Sequence, residues 1–168
     1  MIIQKVVPCL WFDVQAEEAA RHYISVFEKD SRIVHISRYT EEGWEIHGRS
    51  PGSVMTVEFQ LAGCTLTALN GGPAFKFSEA ISLQVLCESQ LEIDRFWEKL
   101  GEGGDEAAQQ CGWLKDKFGL SWQIVPASLN EMLLSPDVTK ANRAMRAMLG
   151  MKKLDLGQLE RAFNGAPG

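Results

Sequence analysis

The sequence predicts an α+β fold made of two tandem βαβββ units followed by helices. Three observations predict it: apolar runs of strand length, two amphipathic helical stripes that each directly follow such a run, and the same order of elements in both halves. The chain has 168 residues, 45% of them hydrophobic and 23% charged, enough to bury a core without disulfides or metal.

The first apolar run, Ile2 to Asp13, reads as a buried strand. Ala16 to Phe27 then spaces Ala16, Ala19, Ala20, Tyr23, Val26 and Phe27 along one helical face. Strands follow at Arg32 to Tyr39, Val54 to Leu61 and Cys64 to Leu69, the last two forming a hairpin about Ala62-Gly63. Thr40 to Ser53 holds charges, Gly43, Gly48, Pro51 and Gly52, and reads as a mobile loop or polar hairpin whose glycines would permit movement as a lid.

The second half opens in the same way. Ala80 to Cys87 is a strand, and Ser89 to Leu100 is a helix with Leu91, Ile93, Phe96, Trp97 and Leu100 on its buried side. Ser89-Gln90-Leu91-Glu92 is a capping box at its start, and Gly101 to Gly104 ends it. Further strands are expected at Glu106 to Gln110, Gly112 to Lys117 and Leu120 to Pro126, with Phe118-Gly119 as a turn. Sliding one half over the other lays Leu10, Phe12, Ala20, Tyr23 and Phe27 on Leu83, Val85, Ile93, Phe96 and Leu100, and a shorter shift lays Gly63 to Thr67 on Gly119 to Gln123. Trp11, Trp97 and Trp122 fall at core positions.

Beyond Pro126 the pattern is helical. Ser135-Pro136 supplies an N-cap and first-turn proline for a helix through Leu149, Asp155 caps another through Phe163, and residues 164–168 should fray. Residues 1–126 thus form the paired domain, with repeats at about 1–70 and 78–126. Residues 127–168 form a helical extension whose Met132, Leu133, Leu134, Met145, Met148, Leu149, Leu156 and Leu159 call for packing on the domain or a second subunit.

Charge excludes some functions. With 17 Lys+Arg against 22 Asp+Glu the formal net charge is -5, and no basic run marks a nucleic-acid interface. No apolar stretch is long enough to span a bilayer and the first residues lack a secretory signal, so a cytoplasmic protein is expected. Cys9, Cys64, Cys87 and Cys111 have apolar neighbours and no CxxC spacing, and read as buried thiols in a reducing compartment, not a disulfide framework or zinc site.

The segments VPCLWFDVQAEEAARHY, ALNGGPAFKF, CESQLEIDRFW, CGWLKDKFGLSWQIVP and AMLGMKKLDLGQLERAF resemble the PhnB-like branch of the vicinal oxygen chelate (glyoxalase/bleomycin resistance) superfamily, also labelled the 3-demethylubiquinone-9 3-methyltransferase domain. The resemblance spans about Ile3 to Ala162 and implies paired βαβββ units arranged as an open barrel. It also implies a homodimer. The label names a methyltransferase, yet no Gly-rich turn leads from a strand into a helix as a site for S-adenosylmethionine commonly requires. Asn70-Gly71-Gly72-Pro73 is followed by Ala74-Phe75-Lys76-Phe77, so its glycines fit a tight turn between repeats.

Relatives with glyoxalase-type activity hold one divalent metal through His, Glu or Gln on the first and last strand of each repeat. The resemblance puts these positions at Pro8, Thr67, Ala80 or Ile81, and Gln123. Pro and Ala offer no ligand, a Thr hydroxyl is a poor one, and one Gln cannot hold the ion alone, so no metal is expected. His22, His35 and His47 form no HxH or HxxxH pair, and the acids Glu17-Glu18, Glu41-Glu42 and Glu92/Asp94 fall on helix faces or a loop. What remains is a cavity in which Thr65, Thr67, Ser121 and Gln123 point inward, Asn70 contributes a polar group, and Phe75 and Trp113 line the mouth.

Such polar groups among aromatics suit a small apolar or planar organic ligand bound without metal. The alternatives are an enzyme of the superfamily (lyase, isomerase or dioxygenase-like) using an atypical metal site such as Gln123 with waters, and a structural dimer joined by the C-terminal helices. The inherited methyltransferase label is a further alternative.

Overall fold

Where the strands of this protein carry buried residues, one side is turned against a helix, and that parity sets which residues remain for function. The computed structural model describes residues 4–166. Ile2 and Ile3 of the expected first strand and Pro167 and Gly168 of the expected tail lie outside them. The chain divides into two compact units, one ending at Phe77 and the other beginning at Ser78.

The first unit contains β1 (Cys9–Phe12), α1 (Ala16–Phe27), β2 (Arg32–Arg38), α2 (Trp44–His47), β3 (Val54–Leu61) and β4 (Cys64–Asn70). Its sheet has the order β1-β4-β3-β2, with β1 parallel to β4 and the other neighbours antiparallel. Leu10, Phe12, Val57, Phe59, Leu66 and Ala68 are buried on the side of α1, which contributes Ala19, Ala20, Tyr23 and Val26. The hairpin turn is as expected, with Ala62 at φ 46° and Gly63 at φ 81°, the paired left-handed geometry that matches strand twist.

The start of β1 differs from expectation, and the segment 40–53 takes the more ordered of its two expected forms. β1 begins at Cys9 and not Ile2, because Pro8 has no N–H to give a ladder. Before it, the Gln4 side chain stands in for backbone: its Nε2 donates to the Thr65 carbonyl at 3.0 Å and its Oε1 accepts from Thr65 N at 3.0 Å. The segment 40–53 is a hydrogen-bonded excursion around α2, closed where Tyr39 N donates to Ser53 O and Gly52 N to Tyr39 O. His47 accepts from Arg49 N through Nδ1 at 2.9 Å and stacks 4.6 Å from the Tyr39 ring, so this histidine organises the loop.

The second unit contains β5 (Leu83–Cys87), α3 (Gln90–Gly101), β6 (Trp113–Lys115), β7 (Ser121–Pro126), α4 (Leu129–Leu133), α5 (Val138–Leu149) and α6 (Leu156–Asn164). Its sheet has the order β5-β7-β6, with β5 parallel to β7. Val85, Leu114, Trp122 and Ile124 are buried on the side of α3, against Ile93, Phe96 and Leu100. Leu91 is exposed and Trp97 half-buried, so neither joins that stripe as expected. Ser89 caps α3 by accepting from Glu92 N, while Glu92 reaches one residue further back than a standard capping box, to Glu88 N at 2.7 Å.

The expected strand at Glu106 to Gln110 is instead a 3-10 turn over Glu106–Ala108, leaving three strands in the second sheet. Asp105 caps the turn by accepting from Ala107 N, and positive φ at Cys111 and Gly112 reverses the chain so that Gln110 bridges only to Trp113. β5 also starts later than Ala80, since Ile81 N turns back toward Ser78 O.

Asp116 organises the β6–β7 connection from a buried position. Its Oδ1 accepts from Phe118 N at 2.9 Å and Leu120 N at 3.0 Å, and its Oδ2 accepts from Trp122 Nε1 at 2.8 Å. Charge-assisted bonds of this kind repay the burial of the carboxylate.

The C-terminal helices pack on the second unit. Leu129, Met132, Ala144, Leu154 and Leu159 enclose one core with Val125 of β7. Cys111 N and Gly112 N donate to the carbonyls of Met151 and Lys152, both at 2.8 Å, and Gln90 Oε1 accepts from Leu156 N at 2.8 Å. The cap of α5 is Asp137, which accepts from Thr139 N and Lys140 N, and not Ser135; Asp155 caps α6 as expected.

Asp116→Ala is expected to lower stability by about 2–4 kcal/mol, since three donors lose their acceptor, and Asp116→Asn by less, because Oδ1 can still serve two of them. Urea unfolding followed by tryptophan fluorescence reads both. Burial, with Glu92 adding and Arg95 opposing, pushes the Cys87 thiol from 9.0 up to about 12. Cys87 is therefore expected to resist iodoacetamide at pH 8 in the native protein and to react on unfolding, as peptide mass mapping would show. Because the unfolded thiol ionises first, Cys87 is also expected to cost stability as pH rises from 9.0 toward about 12.

Candidate functional site

Cross-strand partners point to the same side of a sheet, so register assigns the free faces. In the first unit Cys9 lies opposite Thr67, Thr67 opposite Glu58, and Glu58 opposite His35, a row across all four strands on the face away from α1. In the second unit Gln84 and Trp113 both lie opposite Gln123, and Lys115 lies opposite Ser121, on the face away from α3.

These registers correct the expected metal positions. Leu10 and Phe12 face α1, so the free-face residue beside Thr67 is Cys9, not Pro8, whose carbonyl accepts from Thr67 N at 2.9 Å. The residue beside Gln123 is Gln84, because Ala80 and Ile81 lie before β5. The repeat correspondence moves with them: Leu10 matches Val85 and Phe12 matches Cys87, the buried residues of their strands. The donors at the corrected positions are a thiol and a hydroxyl in one unit and two amides in the other. They do not fit a divalent ion that needs carboxylates or imidazoles. Among the described residues no cluster of three or more His, Cys, Asp or Glu could hold a metal.

The second unit has a cleft of about 190 Å³ over its free face. Gln84, Leu86, Trp113, Gln123 and Val125 form the floor, with Leu129, Asn130, Leu133 and Met148 of α4 and α5 on the opposite side and Cys111 at one edge. Gln123 is held at both ends of its amide: Nε2 donates to Ser82 Oγ at 2.8 Å, and Oε1 accepts from Gln84 Nε2 at 3.0 Å.

Of the expected pocket residues, the structure brings Trp113 and Gln123 together in this cleft. Ser121 shares their sheet face but is buried and outside the lining. Thr65 and Thr67 lie on the free face of the first sheet. Asn70 lies on the other side of that sheet as a structural group: Oδ1 accepts from Ala16 N at 2.8 Å, supplying the cap that Gln15 does not, and Nδ2 donates to Val54 O at 3.1 Å. Phe75 meets the edge of Trp11, with centroids 4.9 Å apart. Trp11 itself is on the free face, not in the core, and its indole donates to Gly72 O at 2.8 Å.

The Gly-Gly pair is a seat for that indole. A Cβ on Gly71 would come within 2.2 Å of the Trp11 ring, and Gly72 has φ +99°. Both N–H groups donate to Phe12 O, which leaves neither for a ligand.

Sequence reasoning missed Glu58, Gln84 and Asn130 and set His35 aside as a surface or satisfied residue. It read all four cysteines as buried, whereas Cys9 and Cys64 are exposed, Cys111 is half-buried and only Cys87 is buried, because strand parity turns Cys9 away from α1. Period-two counting along β3 would have put Glu58 beside Thr67. Nothing local in the sequence announces Asn130, which reaches the cleft through the path of α4.

Residues 4–125 match the family model described as 3-demethylubiquinone-9 3-methyltransferase. The chain belongs to this PhnB-like family. It is 36% identical to the PhnB protein from Bacillus cereus over 74% of this chain and 100% of that one, with a TM-score of 0.63. The fosfomycin resistance protein FosX from Mesorhizobium loti, 17% identical over 79% of this chain and 98% of that chain with a TM-score of 0.53, shares the fold. So does FosX from Listeria monocytogenes, a structure complexed with Mn(II) and sulfate, at 15% identity over 79% and 97% and a TM-score of 0.50. The α+β architecture is therefore the glyoxalase/bleomycin resistance fold with C-terminal helices added. No curated protein matches the chain. Among the described residues no helix is long and apolar enough to cross a membrane.

Gly71→Ala is expected to lower stability by about 1–3 kcal/mol, because the new methyl displaces a ring with little room to yield. Thermal unfolding gives the loss, and a red shift of native tryptophan emission would report the displaced Trp11.

Proposed function

We propose that this chain is a small-molecule-binding protein that holds an apolar or planar organic ligand in the second-unit cleft without a metal ion. The carrying observation is the cleft itself, whose floor sets Trp113 and Gln123 beside Leu86 and Val125, facing Leu129 and Leu133 of α4. Concave sites with mostly apolar walls and a few fixed polar groups are the usual form of such sites. The protein acts as a cytoplasmic homodimer on this reading.

The methyltransferase label has less support as an activity, because the Gly71-Gly72 amides are committed to Phe12 O. A superfamily enzyme with an atypical metal has less support as well, since the Gln123 amide is engaged by Gln84 and Ser82.

Native mass spectrometry with elemental analysis, on protein purified without chelator or added metal, tests the reading. A dimer free of stoichiometric metal is expected, and stoichiometric metal would move the protein to the enzyme reading. Titration with toluene, followed through the backbone amide resonances of Gln84, Gln123 and Asn130, is expected to show saturable binding that Trp113→Ala weakens about tenfold, the loss of one aromatic contact. Unchanged affinity in that variant would remove the cleft from the reading.

A further inference from the structure

We infer that the second-unit cleft selects an uncharged ligand bearing an amide-type edge, such as a carboxamide, lactam or imide, and discriminates against carboxylates and amines of the same shape. The inference rests on the cleft being the binding site.

Charge is the first argument. None of the residues lining the cleft is ionic; its polar side chains are the amides of Gln84, Gln123 and Asn130. Lys115, the charged residue next along that face of β6, lies outside the lining and is paired with Glu79. An ion entering the cleft would give up hydration without meeting an opposite charge, and that cost falls on anions and cations alike.

Hydrogen bonding is the second. Gln123 has no spare amide end, and by taking the Gln84 amino group it orients that side chain and leaves the Gln84 carbonyl oxygen as an acceptor. Asn130, across the cleft on α4, accepts from Leu134 N through its backbone carbonyl, while its side-chain amide makes no hydrogen bond among the described residues and can donate. An acceptor and a donor facing one gap match a ligand edge that carries both an N–H and a C=O. Gln84 and Asn130 are exposed at the cleft, so an analogue lacking the edge forfeits two hydrogen bonds without leaving a buried amide unpaired, which lowers its affinity several-fold and does not exclude it. Trp113 offers the flat contact for the remainder of the ligand. The cleft, at about 190 Å³, is smaller than the roughly 300–1,000 Å³ of drug-sized sites, so a single ring with its amide is the scale to test.

The experiment compares benzamide, benzoate, benzylammonium and toluene at pH 7 on the full chain by proton–nitrogen correlation spectra. Benzamide is expected to bind at least tenfold more tightly than either ion and several-fold more tightly than toluene. Gln84→Leu is expected to abolish the advantage of benzamide over toluene, and Gln84→Glu to favour benzylammonium. Benzoate or benzylammonium binding the native protein as tightly as benzamide would overturn the inference, as would equal affinity for benzamide and toluene, which leaves the cleft as a binding site. Failure of all four probes, toluene included, would defeat the cleft reading and this inference together.

Discussion

One helix lies on one face of each sheet, and the packing of α1 and α3 sets the direction of every side chain that matters here. Leu10, Phe12, Phe59 and Ala68 are drawn to α1, and Val85, Leu114, Trp122 and Ile124 to α3. Since strand side chains alternate, burying those residues forces Cys9, Thr67 and Glu58, or Gln84, Trp113 and Gln123, to the opposite side. A shift of register by one residue would exchange the two sets and put glutamines against the helix. The apolar burial that holds each unit together therefore also locates its polar face.

The two units use that face differently. In the first, Trp11 lies over Gly71, donates to Gly72 and is met by Phe75, so aromatic packing takes up the end of the sheet nearest the Asn-Gly-Gly-Pro turn. In the second, Leu86 takes the place corresponding to Trp11, a smaller side chain with no glycine seat beneath it, and the helices after Pro126 approach instead. Their attachment is strong for a C-terminal extension: backbone bonds tie Cys111 and Gly112 to Met151 and Lys152, and Leu154 closes against Gly112, where a Cβ would lie 2.9 Å from Ile124 O. The extension is part of the second core and supplies one side of the cleft.

The metal chemistry of the fold turns on residue types as well as on positions. FosX from Listeria monocytogenes binds Mn(II) on the same fold. Here the strand positions at which the family resemblance implies metal ligands, once register is taken into account, carry the Cys9 thiol, the Thr67 hydroxyl and the Gln84 and Gln123 amides, which bond to each other. Neutral amides linked in series suit recognition of neutral polar groups, for which a strong local charge is a disadvantage. Membership of the PhnB-like family establishes the fold; the chemistry has to be read from these side chains.

The sequence by itself determined the elements with strong local signals. Helix α1 runs from Ala16 to Phe27, the β3–β4 hairpin turns at Ala62-Gly63, and Ser89 and Asp155 cap their helices as periodicity and capping chemistry require. It also made the repeated order of elements visible, and named Trp113 and Gln123 among a wider set of pocket candidates. Tertiary structure decided what depends on partners distant in the chain. Glu106–Ala108 is a 3-10 turn because of the Asp105 cap and the reversal at Cys111, and Asn70 is a helix cap because Ala16 N lies above it. The change from Pro8 to Cys9 and from Ala80 or Ile81 to Gln84 has the same origin. Repeat matching aligns residue types, whereas the register of β1 on β4 and β5 on β7 is set by which side chains pack beneath the helices, a three-dimensional fit to which no single segment is sensitive.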